Sequence, residues 1–129
     1  MGNRHADWMK QAEADLRHAV NARASSDHEW ACFAAQQAAE KAVKSVIQRL
    51  GGEPWGHSVT VLLTELGERL DVPADLVEAA KRLDKHYIPT RCPNGFDTGA
   101  PTDYYTDEEA ERAIADGGRI LAFCRDSVG

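Results

Sequence analysis

The chain has 129 residues, with 15 lysines and arginines against 21 aspartates and glutamates, for a net charge of −6. Its 43% hydrophobic and 28% charged content is that of one globular domain, long enough to bury a core without disulfide staples. Nonspecific nucleic-acid binding is excluded except at a local basic patch, because neutralising phosphates needs a basic face, and no apolar run approaches the roughly 18 residues that a membrane span requires.

The first ten residues include Asp7 and no apolar segment, so no signal peptide is read and the cytosol is the expected compartment. The three cysteines, Cys32, Cys92 and Cys124, are far apart and form no Cys-x-x-Cys pair. Neither a disulfide framework nor a zinc site is expected, and Cys32 and Cys124 read as small core residues on helices.

Apolar residues recur at helical spacing and nowhere alternate over a useful length, so the chain reads as an all-α, up-and-down bundle of four to five helices forming one domain over 1–129. The first helix is predicted from about His5 to about Ala24, with Trp8, Ala12, Leu16 and Ala19 on one face. Ser26-Asp27-His28-Glu29 has the form of a capping box and opens the second helix, which runs to Leu50 before Gly51 and Gly52. Trp30 to Ala35 is apolar on every side, and two stripes follow, Ala38-Ala42-Val46 and Val43-Ile47-Leu50. So wide an apolar arc needs several neighbours, which makes this helix the central element and predicts a C2 dimer to complete its cover.

Ser58 is the predicted cap of a third helix reaching about Leu70, and Pro73 opens a fourth that stops before Pro89. An ordered loop is predicted from Ile88 to Tyr105. Thr106-Asp107-Glu108-Glu109 is a second capping box, opening a last helix whose inner face is Ala110, Ala113, Ile114, Leu121 and Cys124. Gly117-Gly118 within it marks a close helix contact or a bend.

Charge is uneven. Lys81, Arg82, Lys85 and Arg91 stand against Asp84 alone in the segment 81–91, while 103–116 holds six acids. Part of the basic cluster follows from the negative pole at a helix end. The functional reading is an anion site built from Lys81, Arg82, Lys85 and Arg91 with the hydroxyls of Tyr87 and Thr90. On a continuing helix, Arg82 and His86 would share a face. Such a pair has the chemistry of RNA cleavage: the histidine exchanges a proton and the arginine stabilises the charged transition state. The other histidines are scattered, so no metal site and no cofactor are expected. Gln36, Gln37, Glu40, Lys41 and Lys44 form a polar stripe on the central helix, read as an exposed stripe or a buried polar interface.

Three segments carry a family resemblance: Asp7-Trp8 through Asp15-Leu16; Ala31-Cys32-Phe33-Ala34-Ala35-Gln36-Gln37-Ala38-Ala39-Glu40-Lys41-Ala42; and Leu83-Asp84-Lys85-His86-Tyr87-Ile88-Pro89-Thr90-Arg91-Cys92-Pro93. With them the chain resembles the HEPN domain (higher eukaryotes and prokaryotes nucleotide-binding), and in particular short stand-alone prokaryotic members with a Tyr-Ile-Pro-Thr-Arg segment. The resemblance implies a helical bundle, usually homodimeric, encoded beside or fused to a small nucleotidyltransferase in toxin–antitoxin pairs. Many members cleave RNA without metal, using an arginine followed by four to six residues and a histidine. Here only three residues separate Arg82 from His86, and members with the Ile-Pro-Thr-Arg segment are similar to noncatalytic ones. Three expectations follow, in order: a noncatalytic homodimer that binds a nucleotide or a partner through 81–91; a metal-independent RNase toxin using Arg82 and His86; and a purely structural interaction domain. Arg91 is expected to be tied down at the base of the loop.

Overall fold

The computed structural model describes residues 4–87 and 98–128. Among these the fold is all-α: α1 (His5–Ala24), α2 (His28–Arg49), α3 (Val59–Leu66), α4 (Ala74–Asp84), a single-turn α5 (Pro101–Tyr104) and α6 (Asp107–Val128). No helix among the described residues is long and apolar enough to cross a membrane.

As predicted, α2 is the centre. It packs most extensively against α1 and α6 and also against α3 and α4. Alanines make this possible: Ala31, Ala35, Ala38, Ala39 and Ala42 are fully buried, and their short side chains let neighbouring helices approach closely. Leu62, Leu63 and Leu66 of α3, Leu83 of α4 and Ile120 and Leu121 of α6 supply the bulk around them. The broad apolar arc of α2 is thus covered within one chain and does not by itself require a second copy. Trp30, within the stretch read as apolar on every side, is 46% exposed and lines a surface groove with Asp15 and His18 of α1.

Gly117 marks a close helix contact. A Cβ added there would lie 2.9 Å from the Ala35 carbonyl oxygen, so α6 crosses α2 backbone against backbone. Gly118 faces open space apart from Leu16, whose Cδ2 is 4.0 Å from a Cβ added at that position.

The helix ends follow local chemistry with two exceptions. At α6, Thr106 and Glu109 form the predicted reciprocal cap: the Thr106 hydroxyl accepts from the Glu109 amide at 3.1 Å and Glu109 accepts from the Thr106 amide at 3.2 Å. Gly51, with φ +89°, closes α2 as expected. The capping box at Ser26 does not form. Ser26 has φ +63° and serves the sharp α1–α2 turn, and Asp27 precedes α2 without a side-chain cap. α3 stops at Leu66 rather than Leu70. Gly67 follows, and the Arg69 and Leu70 amides turn back onto the Leu66 carbonyl, each at 2.9 Å, which still brings Leu70 against the core. Across the bundle, Arg23 at the end of α1 forks onto Asp107 at 2.8 and 3.0 Å and reaches Glu111 at 3.0 Å, joining a helix C-terminus to the acidic start of α6.

Candidate functional site

The corner where α4 ends is built around Asp116. Its carboxylate, 3% exposed, projects from α6 and accepts both arms of the Arg82 guanidinium, from Nε at 2.9 Å and Nη2 at 3.0 Å. Arg119 donates to the same carboxylate at 2.9 Å and to Asp75 at 3.2 Å. Burial opposes ionisation of Asp116, but the hydrogen bonds from Arg82 and Arg119 outweigh it and hold its carboxyl below the usual carboxylate range. The hydrogen bond to Asp116 likewise tightens the Arg82 guanidinium's hold on its proton. The bidentate geometry is the strong form of an arginine–carboxylate pair.

His86 does not continue the helical face of Arg82. α4 ends at Asp84, and the His86 amide bonds back to the Leu83 carbonyl in the turn that follows. Its ring lies against Tyr105, with Nδ1 3.4 Å from the phenol oxygen. Burial lowers the His86 pKa; Glu109 and Asp116 pull it back and Lys85 adds to the lowering. Burial pushes the Tyr105 phenol up to about 12. Arg82, Lys85 and His86 nonetheless line one small pocket, of about 160 Å³, with Arg112, Glu109 and Asp116. Lys85 and Arg112 are exposed and have no ion pair among the described residues.

The remaining predicted site residues go elsewhere. Lys81 points to solvent and pairs with Glu78 at 3.3 Å. Tyr87 turns towards α2, with its ring 6.1 Å from Phe33 and stacked on His57 at 4.8 Å. Thr90 and Arg91, with Cys92 and the other residues of the segment 88–97, lie outside the described residues.

Of the polar stripe of α2, Gln36, Glu40 and Lys44 form a buried network beneath Tyr87, while Lys41 turns to Asp15 of α1. Glu40, 3% exposed, accepts from Lys44 at 3.0 Å and Gln36 at 3.2 Å, and His57 Nδ1 stands 3.2 Å away. Gln36 also donates to the His57 carbonyl at 3.0 Å. The polar motif residues of α2 thus hold the His57 segment, and His57 in turn supports Tyr87.

Sequence reasoning missed Asp84, counted only as the lone acid in a basic run. Its carboxylate caps α3 from another helix, accepting from the Val59 amide at 2.7 Å, the Thr60 amide at 3.0 Å and the Ser58 hydroxyl at 3.0 Å. The signal available in the sequence was the start of α3 at Ser58, where a single hydroxyl can accept from only one of the helix's free amides, that of Val61, and leaves the others to a second cap. Among the described residues, no group of three histidines, cysteines or carboxylates could hold a metal ion.

The fold has counterparts among known proteins. The HEPN domain family matches residues 5–127. The chain belongs to the HEPN family. Its structure is similar to that of TT1696 from Thermus thermophilus, with TM-score 0.95, 50% identity, and 98% of this chain and 99% of that one covered. ST0689, an archaeal HEPN homologue, has TM-score 0.84 at 41% identity with both chains covered in full. An HEPN domain protein of Thermotoga maritima has TM-score 0.76 at 39% identity, covering 93% of this chain and 95% of that one. In sequence the chain is 24% identical over 128 residues to a Methanocaldococcus jannaschii protein named "Putative toxin MJ1304", spanning 92% of this chain and 84% of that one.

Proposed function

We propose that this HEPN domain is a noncatalytic, homodimeric binding module of a toxin–antitoxin pair, and that its corner at the end of α4 docks a partner protein, a small nucleotidyltransferase. The observation that carries this reading is the engagement of Arg82. Both arms of its guanidinium are committed to the buried Asp116 carboxylate, so a reacting phosphate would have to displace a well-formed ion pair before it met the charge. The cations free to meet a guest are Lys85 and Arg112 at the rim. At about 160 Å³ the pocket is below the roughly 300 Å³ at which small-molecule sites begin, so it suits a carboxylate of a protein surface better than a whole nucleotide. The toxin–antitoxin setting is supported by the similarity to the Methanocaldococcus jannaschii protein, whose name is that of a toxin.

The test is calorimetry with a small nucleotidyltransferase encoded beside this chain's gene, the first condition of the reading being that such a neighbour exists. Tight binding that Lys85→Glu and Arg112→Glu each weaken is the expected result. Binding unchanged by both reversals refutes the corner as the docking point. Sedimentation tests the dimer: a species of the single-chain mass, 14.2 kDa, at micromolar concentration contradicts it.

A second reading rests on one observation: Arg82 and His86 do line the same pocket. A metal-independent RNase would use the two together once Arg82 left Asp116. It predicts cleavage that His86→Ala abolishes.

A further inference from the structure

The bundle leaves a large aromatic side chain uncovered on the outer seam of α1 and α2. Trp30, nearly half exposed, meets Phe33 edge-on with ring centres 6.1 Å apart, and Tyr87 backs Phe33 at the same distance. A hollow lies on each side of the Trp30 ring. One, of about 200 Å³, runs past Phe33, Ala34 and Gln37 to the Lys41–Asp15 pair; the other, of about 360 Å³, runs past Ala22 to Asp27. Trp30 and His18 line both, and the buried Ala22 and Ala34 are too short to fill them. The first hollow shares Lys41 with a third, of about 420 Å³, beside Ala14 and Trp8. Together they follow most of α1, whose 20 residues make a helix about 30 Å long.

Both ends of this groove are fixed. Ser45 of α2 donates to the His5 carbonyl at 2.7 Å, the Lys41–Asp15 pair ties the helices midway, and at the turn the Asp27 amide donates to the Ala22 carbonyl at 2.8 Å. A groove held open in this way costs little to order when it is filled. Its charge is graded along its length. Arg4, Lys10, Arg17 and Lys41 stand towards the start of α1, where Asp7 and Asp15 answer only Arg4 and Lys41. At the far end Asp27 is the one acid lining the wall, and its side chain does not cap α2.

That gradient disfavours a second copy as the occupant. A two-fold pairing sets the seam against itself. Antiparallel, the cationic end of each copy would meet Asp27 alone; parallel, it would meet its own like charge. Among the described residues there is no sheet edge for an extended strand to join, and a straight groove between helices suits an amphipathic helix.

We propose that the α1–α2 seam docks an amphipathic helix of a partner protein, with apolar side chains seated on either side of Trp30 and acidic residues lying towards Lys10 and Arg17. Apolar residues three or four apart on the incoming helix share one face and can straddle the Trp30 ring. A tryptophan set between hollows is the kind of anchor that dominates interface energies, and the charge gradient sets the direction in which the helix lies. No residue of the α4 corner lines this surface, so the proposal goes beyond the docking role of that corner and either can fail without the other.

The experiment is fluorescence anisotropy of labelled synthetic peptides of about twenty residues, enough to span the seam as a helix, titrated with the full chain at low ionic strength. The first peptide has leucines at helical spacing on one face and glutamates towards one end. The second replaces the glutamates by glutamine, and the third replaces the leucines by serine. The first is expected to bind, the second more weakly and the third not at all. Trp30→Ala is expected to weaken the first roughly thirtyfold, the loss of a strong interface anchor. Trp55→Ala, which removes an equally large but more exposed ring from the α2–α3 connection, is expected to leave it unaltered. The double reversal Lys10→Glu with Arg17→Glu is expected to weaken the first peptide more than the second. An unchanged helical circular dichroism spectrum verifies the fold of each variant. Failure of the first peptide to bind at submillimolar concentration overturns the proposal. So does binding that survives Trp30→Ala, binding that Trp55→Ala weakens equally, or equal binding of all three peptides. Sedimentation supplies the remaining outcome: a wild-type dimer that Trp30→Ala converts to a single chain assigns the seam to a second copy and overturns the partner helix.

Discussion

Neighbouring glycines in α6 should respond with opposite signs to the same substitution. A Cβ at residue 117 would lie 2.9 Å from the carbonyl oxygen of Ala35, a backbone atom that cannot swing aside. Overpacking of this kind costs about 1–3 kcal/mol, and a contact against backbone belongs at the upper end. Alanine recovers about 1 kcal/mol of helix propensity relative to glycine, which leaves a net loss of roughly 2 kcal/mol for Gly117→Ala. At residue 118 the added atom makes only ordinary contact with Leu16, 4.0 Å away. Gly118→Ala therefore gains about 1 kcal/mol. The two variants should differ by about 3 kcal/mol, or about 10 °C in midpoint for a chain of this size. Thermal and urea denaturation followed by far-ultraviolet circular dichroism, at one fixed protein concentration, measures the difference. Equal stabilisation by both substitutions would refute the backbone-to-backbone crossing of α2 and α6.

Three further predictions follow from the site. Asp84→Ala removes three hydrogen bonds to the start of α3 and should lower stability by about 2–4 kcal/mol in urea denaturation, with Asp84→Asn losing less. Asp116 has a depressed pKa in the folded state, so its ionised form contributes stability above the unfolded carboxylate pKa, and that contribution is lost as pH falls through the acid range below about pH 4. Asp116→Asn should remove this part of the acid dependence and cost about 1–3 kcal/mol at neutral pH, less than a fully buried pair because Arg82 and Arg119 are partly exposed; an unchanged acid profile would contradict the pairing. Burial pushes the thiols of Cys32 and Cys124 up to about 12, so in a Cys92→Ser background neither should react with a disulfide reagent at pH 8 until the chain unfolds.

Much of the fold was legible because it rests on local pattern. The bounds of α1, the end of α2 before Gly51, the cap of α6 at Thr106 and the burial of Ala110, Ala113, Leu121 and Cys124 all follow from residues within a turn of one another. The failures share a different physics. Ser26 has the composition of a cap, yet a tight turn claims its backbone. Pro101 starts a single turn of helix inside a predicted loop, where Asp103 accepts from the Ala100 amide at 2.8 Å. Asp84 serves a helix that begins 25 residues earlier, and Arg82 is answered by a carboxylate 34 residues later. Charge counting along the chain could show a basic corner beside an acidic segment. It could not show that the packing of α4 on α6 brings one acid of that segment into the fork of one arginine. The family motif on α2 was visible, but its role in bracing His57 beneath Tyr87 depends on how the α2–α3 connection folds back.

The central claim is that Arg82 belongs to Asp116 and not to a reacting phosphate. Prolonged incubation of end-labelled RNA with the purified wild-type protein in the presence of a metal chelator tests it most directly. The account predicts that the RNA stays intact. Cleavage by the wild type that disappears in both Arg82→Ala and His86→Ala would contradict it.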